Sequence, residues 1–264
     1  MITSSQIGKG VPMNSARDLF MGVVRNEHAI ARDDNPNKDA DNDAYQEARS
    51  VFITEIKSQT HSETLDCECC SLEMVKGYHV HHDDGDHTNN DRSNFRIRCP
   101  LCHLVSHLGF VGVERLGVIV YCPEFTQAQL NSFQTLYFMV NKLIGGTKKG
   151  SREYESLIGY YNNLQLVYQT IESSSAKVIR NFKNNDPLHF ANAMLGMSEY
   201  EYACRGETIF SGLRLLYRED AFPQEIEQWT KQYFLTDNNT KLSTHPEQWP
   251  ALLKIFTTTT RRHT

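Results

Sequence analysis

Four cysteines fall in two C-x-x-C pairs, Cys67 with Cys70 and Cys99 with Cys102. Each pair hooks its two sulfurs to one side of a tight turn. Two such pairs joined by a loop of tens of residues can set four thiolates tetrahedrally around one zinc ion. Cys69 is a spare that could compete with Cys70, whereas the isolated Cys122 and Cys204 read as ordinary buried thiols. Between the pairs lies Tyr78-His79-Val80-His81-His82, followed by the acidic turn Asp83-Asp84-Gly85-Asp86 and, later, Asn94. His103 directly follows the second pair, and His107 lies one helical turn further on.

These groups need elements to hold them. A helix is expected at about 44–58, where Ala44, Ala48, Val51, Phe52 and Ile56 recur at helical spacing. The β-branched run Gly117–Tyr121 reads as a strand. Thr126 with Gln129 forms a capping box that starts a helix along Leu130, Phe133, Tyr137, Val140 and Ile144, ended at Gly145-Gly146. Further helices are expected from Ser151 to Ile171, after Asp186-Pro187, after Ser198, and after Phe222-Pro223. Everything past residue 123 reads mainly helical. The stretch Asp33 to Asp43 is acidic, turn-rich and almost without apolar side chains, so it reads as a surface loop or linker. Asp39, Asp41 and Asp43 alternate, but the glycine and distal glutamate of a calcium loop are missing.

Composition narrows the classes. An apolar share of 39% and a charged share of 22% suit an ordinary globular chain. No run approaches the roughly 18–20 apolar residues of a membrane span. The start Met1-Ile2-Thr3 has neither a basic nor an apolar leader region, so cytoplasmic residence is expected. The seven cysteines are an odd number, which speaks against a disulfide scaffold. A net charge of −5 excludes nucleic-acid binding driven by overall positive charge, though a local basic patch is not excluded.

The His81-His82 doublet, Asn94 and the Cys102-His103 dipeptide together resemble the zinc-ribbon form of the HNH, or ββα-metal, nuclease motif. The resemblance implies a strand ending in the doublet, a returning loop with Asn94, and a helix beginning near Cys102. It implies that His81 and His103, with help from His107, would hold one divalent ion (Mg²⁺, Mn²⁺ or Ni²⁺). His82 would be the general base, Asn94 would hold the loop and orient His82, and Cys67, Cys70, Cys99 and Cys102 would keep a purely structural zinc. The acids Asp83, Asp84 and Asp86 follow the proposed base and would repel a phosphate backbone.

A second resemblance covers roughly residues 45–235. Asp84-Gly85-Asp86-His87-Thr88-Asn89-Asn90, Ser93-Asn94 and Pro123-Glu124-Phe125-Thr126-Gln127-Ala128-Gln129-Leu130-Asn131-Ser132 look very like the IcmJ/DotN family of the type IVB (Dot/Icm) secretion system. Asn185-Asp186-Pro187, Leu213-Arg214-Leu215-Leu216 and Glu225-Ile226-Glu227-Gln228-Trp229 look like that family's C-terminal helices. This resemblance implies an adaptor subunit of a coupling complex. Such a subunit docks on the coupling ATPase with other coupling-complex subunits, helps recruit protein substrates, and resides in the bacterial cytoplasm, reaching the inner membrane only through partners. In that family the HNH-like fold is a scaffold and members can lack the nuclease histidines, whereas this chain keeps His81, His82, Asn94 and His103. An HNH endonuclease acting on DNA is therefore the alternative. The expected fold is α+β. A variable N-terminal segment (1–44) precedes a zinc-binding HNH-like module (45–122), a helical region packed on it (123–256) and a polar tail (257–264).

Overall fold

The computed structural model describes residues 19–25, 30–36 and 42–234. The tail 257–264, Asp39 and Asp41 of the acidic stretch, and residues 1–18 of the variable segment lie outside the described residues. The architecture is α+β, with three small antiparallel two-stranded sheets among helices.

Helix α1 (Asp43–Thr60) starts at Asn42, whose side chain accepts from the Tyr45 amide, and ends where His61 turns left-handed at φ 51°. Phe52 and Ile53 form its buried face. Phe52 meets Phe95 edge-on at 5.4 Å, and the Tyr45 hydroxyl donates to the Val80 carbonyl. These contacts lay α1 on the hairpin that carries the histidine doublet.

That module follows in chain order. Strands β1 (Leu65–Asp66) and β2 (Glu73–Met74) pair around the first cysteine turn. Strands β3 (His79–His82) and β4 (Phe95–Arg98) pair with His81 opposite Arg96 and His82 opposite Phe95. Helix α2 (Pro100–Leu104) has Cys99 as its N-cap and Pro100 in the first turn, where a missing N–H costs nothing. Helix α3 (Leu108–Val113) follows after His107.

Strand β5 (Gly117–Tyr121) matches the sequence expectation. Its partner does not. Leu213–Tyr217, expected within helices, is strand β6, antiparallel to β5. A lone strand needs a partner for its backbone groups, and tertiary pairing overrides the weak helical preference of Leu-Arg-Leu-Leu. Gly212 just before it sits at φ 75°, a conformation that a side chain would strain.

Helix α4 (Gln127–Gly146) begins with the expected capping box at Thr126 and Gln129. It carries buried amides as well as apolar residues. Gln127 pairs with both the N–H and the carbonyl of Leu215, and Gln134 accepts from the Tyr217 amide. The second edge of β6 is thus satisfied by side chains, which keeps it from being an open pairing edge. The Tyr217 hydroxyl donates to the Leu101 carbonyl, tying this sheet to α2.

Helices α5 (Arg152–Ser173), α6 (Ser175–Phe182), α7 (Pro187–Leu195), α8 (Glu199–Ala203) and α9 (Pro223–Phe234) complete the described chain. Ser151, Asp186 and Ser198 cap α5, α7 and α8 as their types predict. Helix α6 had no counterpart in the sequence reading. Tyr137 of α4 stacks on Tyr168 of α5 at 4.7 Å, and Trp229 of α9 is buried, so these aromatics are core. Tyr200 is 78% exposed.

Two candidate metal centres and a cleft

The cysteine pairs converge. The sulfurs of Cys67, Cys70, Cys99 and Cys102 all lie within 4.8 Å of one another, and Cys70 and Cys99 are 3.7 Å apart. That is far beyond the roughly 2.05 Å of a disulfide. A thiolate tetrahedron with metal–sulfur bonds of about 2.3 Å has edges of about 3.8 Å, so the spacing fits one bound ion. Hydrogen bonds from Cys102, Cys69, Cys70 and Cys99 pull the Cys67 thiol well below its usual range, while burial pushes Cys99 and Cys102 well above it. A buried thiolate cluster of this kind needs a cation to let all four ionise. Cys69 stands outside the set of four.

The surroundings hold this centre rigidly. The Cys102 amide donates to Cys99 Sγ, and Asn131 Nδ2 from α4 donates to Cys102 Sγ at 3.2 Å. Asn131 is fully buried and also accepts from Gln127. A chain of amides therefore runs from a cysteine sulfur to the β6 edge. Asn131 belongs to the family-like stretch that begins at Pro123, but its contact with the cysteine centre had no signal in the sequence, because a polar residue on a helix normally marks the solvent face.

The histidines form a second group. Strand alternation turns His79 and His81 toward α2 and sends His82 toward α1. The His81 and His79 rings lie 5.2 and 4.8 Å from that of His103, while His82 lies 5.3 Å from Tyr45. Ligating nitrogens of His81, His103 and His107 lie within 4.8 Å of one another, and all three side chains are buried. Burial lowers the pKa of His81 and His103 well below the usual imidazole value, which favours the neutral form that a metal ligand requires. His107 Nδ1 meets Asp34 Oδ1 at 2.9 Å, and its Nε2 is buried with no hydrogen-bond partner. An orphaned, buried imidazole nitrogen beside two other histidines fits a metal ion.

Asp34 was read as part of a surface loop. It is instead 4% exposed, and its second oxygen accepts from the Gly109 amide at 3.0 Å. Composition gave no signal for it: the neighbours are turn formers, and its partner lies 73 residues away. His79 was legible in principle, because it sits two residues before His81 and so shares its face. Its Nδ1 lies 3.0 Å from that of His103, and burial lowers its pKa to about 4.

His82 is buried at the floor of a cleft of about 240 Å³, lined also by Tyr45, Arg49, Tyr78, His79, His87 and His103. Its ring stacks on His87 at 5.1 Å. His82 Nε2 lies 3.2 Å from Asn90 Oδ1. The Asn94 side chain, expected to orient His82, spans the Asp84 amide, the Asp84 carboxylate and the Asn89 carbonyl. Asn94 therefore ties the loop, and the amide in contact with the His82 ring belongs to Asn90. The acids that follow His82 are occupied by the fold. Asp83 pairs with Arg96 and Arg98, while Asp84 and Asp86 accept backbone and side-chain donors of their own turn.

No protein-family profile matches the chain. YajD of Escherichia coli strain K12, whose name assigns it provisionally to the HNH nucleases, is 37% identical over 87 residues, 29% of this chain and 76% of YajD. The chain belongs to the HNH family. YajD of Salmonella typhi shows the same identity and coverage. The type 4 apparatus protein DotN of Legionella pneumophila is 29% identical over 167 residues, 62% of this chain and 72% of DotN. The HNH part is thus shared with short relatives, while the similarity to DotN runs about twice as far. Among the described residues no helix is long and apolar enough to cross a membrane.

Proposed function

We propose that this chain is a zinc-stabilised adaptor subunit of a type IVB secretion coupling complex. In this role it docks on the coupling ATPase with other coupling-complex subunits and helps recruit protein substrates from the bacterial cytoplasm. The observation that carries this reading is the length of the similarity to DotN. At 167 residues it far exceeds the HNH segment and must take in the surrounding fold. The four-cysteine centre supports it from the structural side, because zinc there would fasten β1–β2, α2 and α4 into one scaffold. Co-expression with the coupling ATPase of the same organism tests the idea. Co-elution in size exclusion at fixed stoichiometry is expected, and separate elution of two folded proteins would refute it.

A second reading has its own observation. His81, His103 and His107 converge with one nitrogen orphaned, next to a cleft floored by His82. That arrangement suits an HNH endonuclease acting on DNA. A divalent ion (Mg²⁺, Mn²⁺ or Ni²⁺) held by the three histidines would stabilise charge developing on a phosphate and its leaving oxygen. Asn90 Oδ1, 3.2 Å from His82 Nε2, would orient the ring, and His82 would be the base that takes a proton from water. Asn94 would keep the loop in place. Among the described residues that line the cleft, Arg49 is the cation that could meet a phosphate. Nicking of supercoiled plasmid with each of these metals decides it. Metal-dependent nicking that His82→Ala abolishes supports the nuclease, and no nicking by zinc-loaded folded protein leaves the adaptor alone.

A further inference from the structure

We infer that Asp34 is the positioning residue of the three-histidine centre, and that the N-terminal residues 19–25 and 30–36 serve in part to deliver it. The inference rests on reading His81, His103 and His107 as a metal site. An imidazole that ligates through Nε2 must carry its proton on Nδ1, and a carboxylate receiving that proton fixes both tautomer and ring orientation. Asp34 Oδ1 lies 2.9 Å from His107 Nδ1, the two side chains are each 1% exposed, and Nε2 is the nitrogen left without a partner.

The delivery is built into the backbone. The Gly22 amide donates to the Val105 carbonyl, and the Leu108 amide donates to the Gly22 carbonyl, so the segment is stitched to both sides of His107. Residues Ala31–Asp33 form a 3₁₀ turn against α3. Gly109 permits that approach: a Cβ there would lie 1.9 Å from the Ala31 carbonyl oxygen. The second Asp34 oxygen then takes the Gly109 amide. Asp34 thus reads the position of α3 and the ring of His107 together.

The test is calorimetric titration of Ni²⁺ into the full zinc-loaded chain, with His107→Ala as reference. Asp34→Ala is expected to weaken binding of the second ion by about 10- to 100-fold. Asp34→Asn, which keeps an acceptor but not the charge, should fall between. Gly109→Ala, which pushes the segment away without touching a ligand, should weaken binding as Asp34→Ala does. A purely structural Asp34 would lower melting temperature in the metal-free and loaded protein alike and leave affinity unchanged. Wild-type affinity in folded Asp34→Ala, with binding lost in His107→Ala, would overturn the inference and keep the metal site. Failure of the wild type to take a second ion would overturn both. If Asp34→Ala does not fold, ¹⁵N imidazole spectra of the metal-free wild type decide. A proton on His107 Nδ1 supports the inference, and a proton on Nε2 contradicts it.

Discussion

The cysteine and histidine centres share helix α2, which carries both Cys102 and His103, yet their surroundings suit opposite ends. The cysteine cluster offers four sulfurs, enough to complete a tetrahedron around an ion, and its surroundings are packed by α4. The histidine cluster offers three nitrogens, and His103 also borders the cleft. Closed four-ligand sites hold folds together, whereas three-ligand sites keep a position for water or substrate. The support differs too. Neutral amides back the cysteine sulfurs, which would bear negative charge as ligands, while a carboxyl group backs an imidazole that would share the charge of a cation.

The comparison predicts unequal responses. Cys67→Ser or Cys102→Ser removes a ligand of the closed centre and should cost on the order of 5 kcal/mol or more, because ion binding there is folding free energy. Urea melts should show loss of the cooperative transition. A mutant that kept full stability and metal content would remove the closed-centre half of the comparison. Asn131→Ala leaves Cys102 and Gln127 without their partner and should cost about 1–3 kcal/mol in the same melts. Gly112→Ala, whose Cβ would lie 2.3 Å from the Leu188 amide nitrogen, should cost about 1–3 kcal/mol by forcing α3 and α7 apart. Thr126→Ala removes the α4 cap without removing a cysteine, a histidine or a buried amide, and should cost about 1 kcal/mol. His82→Ala belongs to the open side. It should shift the melting midpoint much less than Cys67→Ser, and under the nuclease reading it should lower the nicking rate by about 10²–10⁴-fold.

Much of this was legible in the residues because the signals were local. Cys99-Pro100-Leu101-Cys102 encodes its own turn and helix start, and Thr126 with Gln129 encodes the start of α4. Strand β6 was not legible, since its conformation comes from pairing with a strand almost a hundred residues earlier. Asp34 was hidden for the same reason, as an acid in a turn-rich stretch whose burial depends on α3. Asn90 was hidden by its neighbour: Asn94 carries the motif, but the loop that Asn94 ties brings Asn90 to the His82 ring.

The most direct test of the two-centre account is native mass spectrometry of the full chain through a graded chelator series, with folding followed by circular dichroism. The account predicts two bound ions removed in separate steps. The first should leave under mild chelation with the fold intact and be absent from a His81→Ala, His103→Ala double variant. The second should leave only with unfolding and be lost in Cys102→Ser. A single ion, or loss of both ions in one step with collapse of the fold, would contradict the division between a closed and an open centre.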